Sequence, residues 1–192
     1  QESCTPMPYK IQDKIIYKGQ ATVTNGQFSF SFVVPKDIAY NYDFGRISYY
    51  AISNNENITD ARGIDQSFVI GGVFSQAEYD YDSPVIRLFM NDENFVSGGM
   101  TDNKPLLLAY IDDFSGINTV GNGIGHDITC ILDDQTDRPI ILNEFYESDQ
   151  DNYKSGTIKF PFTDLDEGEH KVTLKVWDVF NNFIGQFPRI FF

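Results

Sequence analysis

Two histidines and two cysteines are all this chain has, and His126 and Cys130 stand only four residues apart. A cysteine nucleophile needs a base within hydrogen-bond reach of its sulfur, so this pair is the first place to look for covalent catalysis. On an extended strand, four residues advance about 13 Å, at about 3.3 Å each. On a helix the two would be neighbours, but Gly121, Gly123, Gly125 and the β-branched Ile128 and Thr129 disfavour a helix. No dyad is expected, and Cys130 is read as a small core residue. His170 follows a tight turn and is expected to satisfy loop backbone groups.

The glycines at 116, 121, 123 and 125 invite a phosphate cradle. No Gly-Lys-Ser/Thr follows them and no helix begins there, so they are read as positions that need positive φ, with Asn122-Gly123 as a turn. Zinc lacks ligands in a usable spacing. Calcium is the one metal left open, because it takes oxygen ligands from loops. Asp112 and Asp113 precede the glycine stretch, Asp127 follows it, and Asp133, Asp134 and Asp137 come one strand later. They do not have EF-hand spacing, and acidic loops are usually just solvated. No catalytic, cofactor-binding or metal residue is therefore assigned. Tyr40, Tyr42, Tyr79 and Tyr81 could form a stacking platform for a sugar, although aromatic residues in acidic turns also pack on sandwich rims. Asn57-Ile58-Thr59 matches a glycosylation sequon. A Cys4–Cys130 disulfide is the one internal bridge the composition allows, and nothing in the sequence fixes its geometry.

These residues need elements to position them, and the composition points to strands. Of 192 residues, 41% are apolar and 15% aromatic, with 17 Phe and 11 Tyr. Aromatic residues suit a pleated, half-buried surface, and no long stretch repeats apolar residues at helical spacing. The net charge is −14 and the pI about 4.3, which argues against binding to phosphate backbones and to anionic membrane surfaces. No apolar run approaches the roughly 18–20 residues of a membrane helix. Residues 1–6 do not read as a signal peptide, so an exported protein of this sequence would be a mature form or a piece of something longer.

The clearest local pattern is a hairpin. Ile15 to Val23 is extended, Asn25-Gly26 is a type I′ turn signal, and Phe28, Phe30, Phe32 and Val34 alternate with Gln27, Ser29 and Ser31. Further strands are expected at 46–52, 67–72, 85–90, 106–111, 127–133, 140–142, 157–162 and 171–178, with 106–111 central because it is almost continuously apolar. Segments 53–63 and 144–154 are polar and read as loops, and Trp177 is read as core. Short strands separated by Gly/Asn/Asp turns predict an all-β protein of two immunoglobulin-like β-sandwich units, 1–82 and 83–192. The first is short of strands, so it must borrow some from upstream sequence or pack on the second.

The segments Ile16-Tyr17-Lys18-Gly19-Gln20-Ala21-Thr22-Val23, Phe32-Val33-Val34-Pro35-Lys36-Asp37-Ile38, Gly45-Arg46-Ile47-Ser48-Tyr49-Tyr50-Ala51 and Met90-Asn91-Asp92 occur in that order. Gly116-Ile117-Asn118-Thr119, Gly121-Asn122-Gly123-Ile124-Gly125-His126-Asp127 and Leu174-Lys175-Val176-Trp177-Asp178-Val179 follow. Over about residues 15–182 this pattern resembles the C-terminal region of the type IX secretion sortases, gingipain-like (C25 family) cysteine peptidases of Bacteroidetes. The resemblance implies that the catalytic Cys and His lie in an upstream caspase-like domain, and no catalytic residue carries over to this chain. It implies a parent protein at the outer membrane or cell surface that removes the C-terminal signal of cargo proteins and joins them to an anionic lipopolysaccharide. This chain would be a non-catalytic scaffold or docking module. Its partners would be the upstream domain, cargo signal domains or outer-membrane secretion components, and not nucleic acid or the membrane interior. A secreted adhesin or carbohydrate-binding module is the alternative.

Overall fold

The computed structural model describes residues 15–36, 38, 42–53, 59–77, 79–120, 125–183 and 189–191. Their strands are β1 (Asp43–Phe44), β2 (Ile47–Ile52), β3 (Asp60–Asp65), β4 (Val69–Ile70), β5 (Val85–Met90), β6 (Leu106–Asp112), β7 (Thr129–Leu132), β8 (Ile140–Ile141), β9 (Tyr146–Ser148), β10 (Ser155–Pro161), β11 (Lys171–Lys175) and β12 (Arg189–Phe191). A single 3-10 turn, Asn143–Phe145, precedes β9. The all-β reading holds.

Contacts divide the chain into two units: Tyr40–Val73 belongs to one, and Ile15–Ala39 with Phe74–Phe192 to the other. This differs from the contiguous division expected at residue 82. The larger unit includes the first arm of the hairpin because that arm bonds far along the chain. Thr22 N–H donates to Asp151 Oδ1 at 2.7 Å, and Asp151 N–H donates to the Gln20 carbonyl at 2.9 Å.

The larger unit is a β-sandwich of two antiparallel four-stranded sheets, ordered β5-β6-β10-β9 and β12-β11-β7-β8. The apolar run at 106–111 is central as expected, with β5 and β10 on its two edges. Leu107, Ala109 and Ile111 alternate inward along it. They meet Met90 and Ile158 from their own sheet and Cys130, Val172 and Leu174 from the other, all at most 1% exposed. Each large side chain buried this way contributes about 1.5–3 kcal/mol, so the shared core holds the two sheets together. The opposite face of β5-β6 carries Tyr110, which meets Phe89 edge-on and lies under the Arg87 guanidinium at 4.9 Å.

In the smaller unit β2 pairs with β3 and β1 with β4, each as a two-stranded sheet. None of its described apolar side chains is fully buried.

Besides the short strands β1 and β12, which no sequence pattern announces, the structure departs from sequence expectation at three places. β3 (Asp60–Asp65) takes in residues 60–63 of the segment read as loop. Its sequence Asp-Ala-Arg-Gly-Ile-Asp shows no apolar alternation because the strand lies largely in solvent. The polar excursion at 144–154 contains the edge strand β9, in which Tyr146 and Ser148 are buried and Glu147 is exposed. The alternation is present, but a serine occupies an inward position. The hairpin has its turn, with Asn25 and Gly26 at φ 52° and 77°, and one bridge, Thr24 to Gln27. Beyond that bridge its two described arms form no ladder, since the first spends backbone groups on residues 148–151. The Ser148 hydroxyl donates to the Lys18 carbonyl at 3.3 Å, alongside the Gln20 and Thr22 bonds. The aromatic face survives as a row of parallel rings, Tyr17, Phe32, Phe30 and Phe28, spaced 4.6–6.5 Å apart.

Candidate functional site

Cys130 sits mid-strand on β7, opposite Leu174 of β11 and Ile140 of β8, and has no solvent exposure. Burial pushes its thiol up to about 12, whereas cysteine nucleophiles are activated by a lowered value. His126 lies outside the strand, with its ring 4.2 Å from that of Trp177. Trp177 is 8% exposed and also meets the tilted ring of Phe183 at 4.5 Å, so it is a buried residue. Gly116 and Gly125 adopt positive φ as the glycine pattern predicts. The proposed Asn122-Gly123 turn, Cys4, Tyr40 and Asn57 lie outside the described residues.

The acidic residues singled out from sequence separate into two groups. Asp133 and Asp134 form a clamp at the entry to β11. The Lys171 N–H donates to Asp133 Oδ1 at 2.8 Å, and the Lys171 ammonium pairs with the Asp134 carboxylate. His170 bridges Asp133 Oδ2 at 2.9 Å and the Asp166 carbonyl at 2.8 Å, which meets the expectation that it serves loop groups. These two partners raise its pKa, the Asp166 carbonyl most. Asp137 faces Arg138, and Asp112 ends β6 in solvent.

Asp113 belongs to a different group. One carboxylate oxygen each from Asp80, Asp113 and Asp178 lies within 4.8 Å of the other two. Three strand ends bring them together: Asp80 precedes β5, Asp113 follows β6 directly, and Asp178 follows β11. The register explains the first two, because Val85 at the start of β5 pairs with Asp112 at the end of β6. Asp178 is placed by its bridge to Ile117, just past Asp113.

Short-range bonds fix each carboxylate. Asp113 Oδ1 accepts from the Ser115 N–H (2.9 Å), the Ser115 hydroxyl (2.8 Å) and the Gly116 N–H (3.0 Å). Asp178 Oδ1 accepts from the N–H groups of Phe180 (2.9 Å) and Asn182 (2.6 Å), and its Oδ2 accepts from Asn182 Nδ2 at 2.7 Å. The same Asn182 amide donates to the Asp80 carbonyl at 2.9 Å and so ties the segment before β5 to the cluster. Asp80 Oδ1 accepts from the Asp82 N–H, while its Oδ2 is buried and has no hydrogen-bond partner.

Asp113 is 5% exposed and Asp178 not at all. Burial pushes Asp178 up to about 6, the Asn182 bonds oppose the rise, and the Asp113 charge adds to it. Asp113 is raised too, by burial first and against the bonds from Ser115 and Gly116, with the Asp80 charge adding. Among the described residues no lysine or arginine pairs with any of the three. Oxygen donors on loops, concentrated negative charge and no nitrogen or sulfur ligand suit a hard cation. Sequence reasoning reached Asp113 but missed Asp80 and Asp178. The usable signal was the asparagine pair at 181–182 shortly after Asp178, which marks a tightly bonded turn rather than a free loop.

By fold, the chain belongs with the all-β sandwich proteins. No protein-family model and no curated protein matches it. A solved structure does: the crystal structure of dimeric latent PorU from Porphyromonas gingivalis is 38% identical, with a TM-score of 0.57. The match covers 88% of this chain and 16% of that one, so the chain is a PorU-related region that spans about a sixth of its relative's length.

Proposed function

We propose that this chain is the C-terminal, non-catalytic β-sandwich module of a type IX secretion sortase, and that it serves as scaffold or docking surface. The observation that supports this reading most is the 38% identity to PorU over 88% of the chain. The fully buried Cys130 thiol adds support, since it offers no nucleophile to a peptide. In this reading a caspase-like peptidase domain is encoded upstream, and the module holds that domain, a cargo signal domain or an outer-membrane component in position at the cell surface. The net charge of −14 disfavours nucleic acid as a partner. No helix among the described residues is long and apolar enough to cross a membrane. The test is affinity capture with the tagged 192-residue chain from outer-membrane extracts of the source bacterium, alongside a peptidase assay. Recovery of secretion components without peptide cleavage supports the proposal. Cleavage by the chain alone, lost in Cys130→Ala, refutes it.

A second reading, a secreted adhesin or sugar-binding module, rests on Tyr79 and Tyr81. These residues are 83% and 81% exposed, and their rings are nearly parallel with centroids 6.2 Å apart. A saccharide hit on a glycan array, lost in Tyr81→Ala, favours that reading.

A further inference from the structure

We propose that Asp80, Asp113 and Asp178 bind a calcium-class divalent cation that fastens the segment before β5 to the ends of β6 and β11. The geometry fits such an ion. Calcium sits about 2.3–2.6 Å from its oxygen ligands, so two ligands of one ion are at most about 5 Å apart. The three carboxylates meet that limit, with one oxygen of each within 4.8 Å of the other two.

Proximity of acids would not be enough by itself. Independent support comes from a carboxylate oxygen that the protein has buried and left without a donor. Asp80 Oδ2 is shielded from solvent and bonded to nothing, while Asp80 Oδ1 is committed to the Asp82 N–H. Asp113, a residue only 5% exposed, places all three of its accepted hydrogen bonds on Oδ1, and its Oδ2 accepts none among the described residues. A buried polar atom without a partner is destabilising. Three carboxylates converging with no basic side chain paired to them among the described residues compound that cost. A dication at their centre supplies the missing partner for the bare oxygens and offsets two of three negative charges. The remaining coordination positions go to water or carbonyl oxygens, as calcium readily accepts. Magnesium fits less well, since it demands near-octahedral geometry at shorter distances and dehydrates reluctantly. Zinc would find no nitrogen or sulfur ligand in this cluster among the described residues.

This inference is independent of the secretion reading, because it concerns only the chain's own fold and can be tested on the purified 192-residue protein. The protein is stripped with EDTA and titrated with terbium, a luminescent calcium surrogate, with excitation of Trp177, the sequence neighbour of Asp178. Sensitised luminescence that calcium displaces and equal magnesium does not is the expected result, together with a calcium-dependent rise of several degrees in Tm. Asp80→Asn, at the least buried of the three positions, should fold and lose at least tenfold in calcium affinity. Asp164→Asn, on an exposed loop, should change nothing. Coincident melting curves in EDTA and in calcium, or a folded Asp80→Asn protein with undiminished affinity, would overturn the proposal.

Discussion

In the metal-free protein, replacing Asp178 with Asn should raise stability at neutral pH, although Asp178 is buried and well hydrogen-bonded. The magnitude follows from its environment. Burial carries the carboxyl from 3.8 to about 6, a difference of about two pH units. At about 1.4 kcal/mol per unit, this corresponds to about 3 kcal/mol. The folded protein holds this proton more tightly than the unfolded chain does. The group's stabilising contribution is therefore fully present below about pH 4 and is lost as pH rises through about 6. At pH 7 the charged side chain sits opposite Asp113 and Asp80 with no cation to neutralise it. Asn cannot ionise, and its oxygen can still accept the Phe180 and Asn182 N–H groups. Its amide would face the Asn182 amide donor, and that lost bond costs about 1 kcal/mol. The variant should thus be more stable by about 2 kcal/mol at pH 7 and slightly less stable at pH 4. Urea denaturation in EDTA between pH 4 and 7.5 measures the difference. Wild-type and variant midpoints that run parallel across this range would refute the reasoning. The three acids share charge, so the titration midpoint observed belongs to the cluster rather than to one side chain.

Leu174→Ala opens a cavity between the sheets and should cost about 2–5 kcal/mol, read as a lower urea midpoint at constant slope. Cys130 should resist alkylation by iodoacetamide in the native protein and react once it unfolds, so rapid native labelling would show that β7 is not where it is placed. His170 has a raised pKa, so its contribution is present below the ordinary histidine value and disappears as pH rises through its folded value. An NMR titration of its ring should give a value above 6.5, and His170→Gln should abolish that part of the stability–pH curve.

The strands that carry the core were legible in the sequence because their burial pattern is written in apolar residues. The Leu106–Ile111 run and the Val172, Leu174 and Val176 alternation each declare a face. β3 and β9 were hidden for opposite reasons. β3 buries almost nothing, so no periodicity is imposed on it, and β9 fills an inward position with Ser148. The hairpin was half legible: Asn25-Gly26 encodes its turn locally, but what its first arm bonds to depends on Asp151, which no local pattern reveals. The same limit applied to the carboxylates. Asp113 stood out beside a glycine stretch, whereas Asp80 looked like one acid among tyrosines and Asp178 like the end of a core strand. Their meeting is a property of strand register and exists only in the folded chain.

The hydrogen bonds that close this structure have a consequence for the order of folding. Thr22 and Asp151 are separated by 129 positions, and Asn182 and Asp80 by 102. β11, the strand between β7 and β12, is almost the last sandwich strand to be synthesised. The second sheet therefore cannot assemble until residue 175 is available, and the carboxylate cluster has to wait for residue 182. Contacts of such long range make folding slow and cooperative, since loop closure precedes most of the gain in buried surface. A chain shortened to residue 170 would lack the centre of one sheet, and its remaining strands should stay soft and protease-sensitive instead of forming half a sandwich.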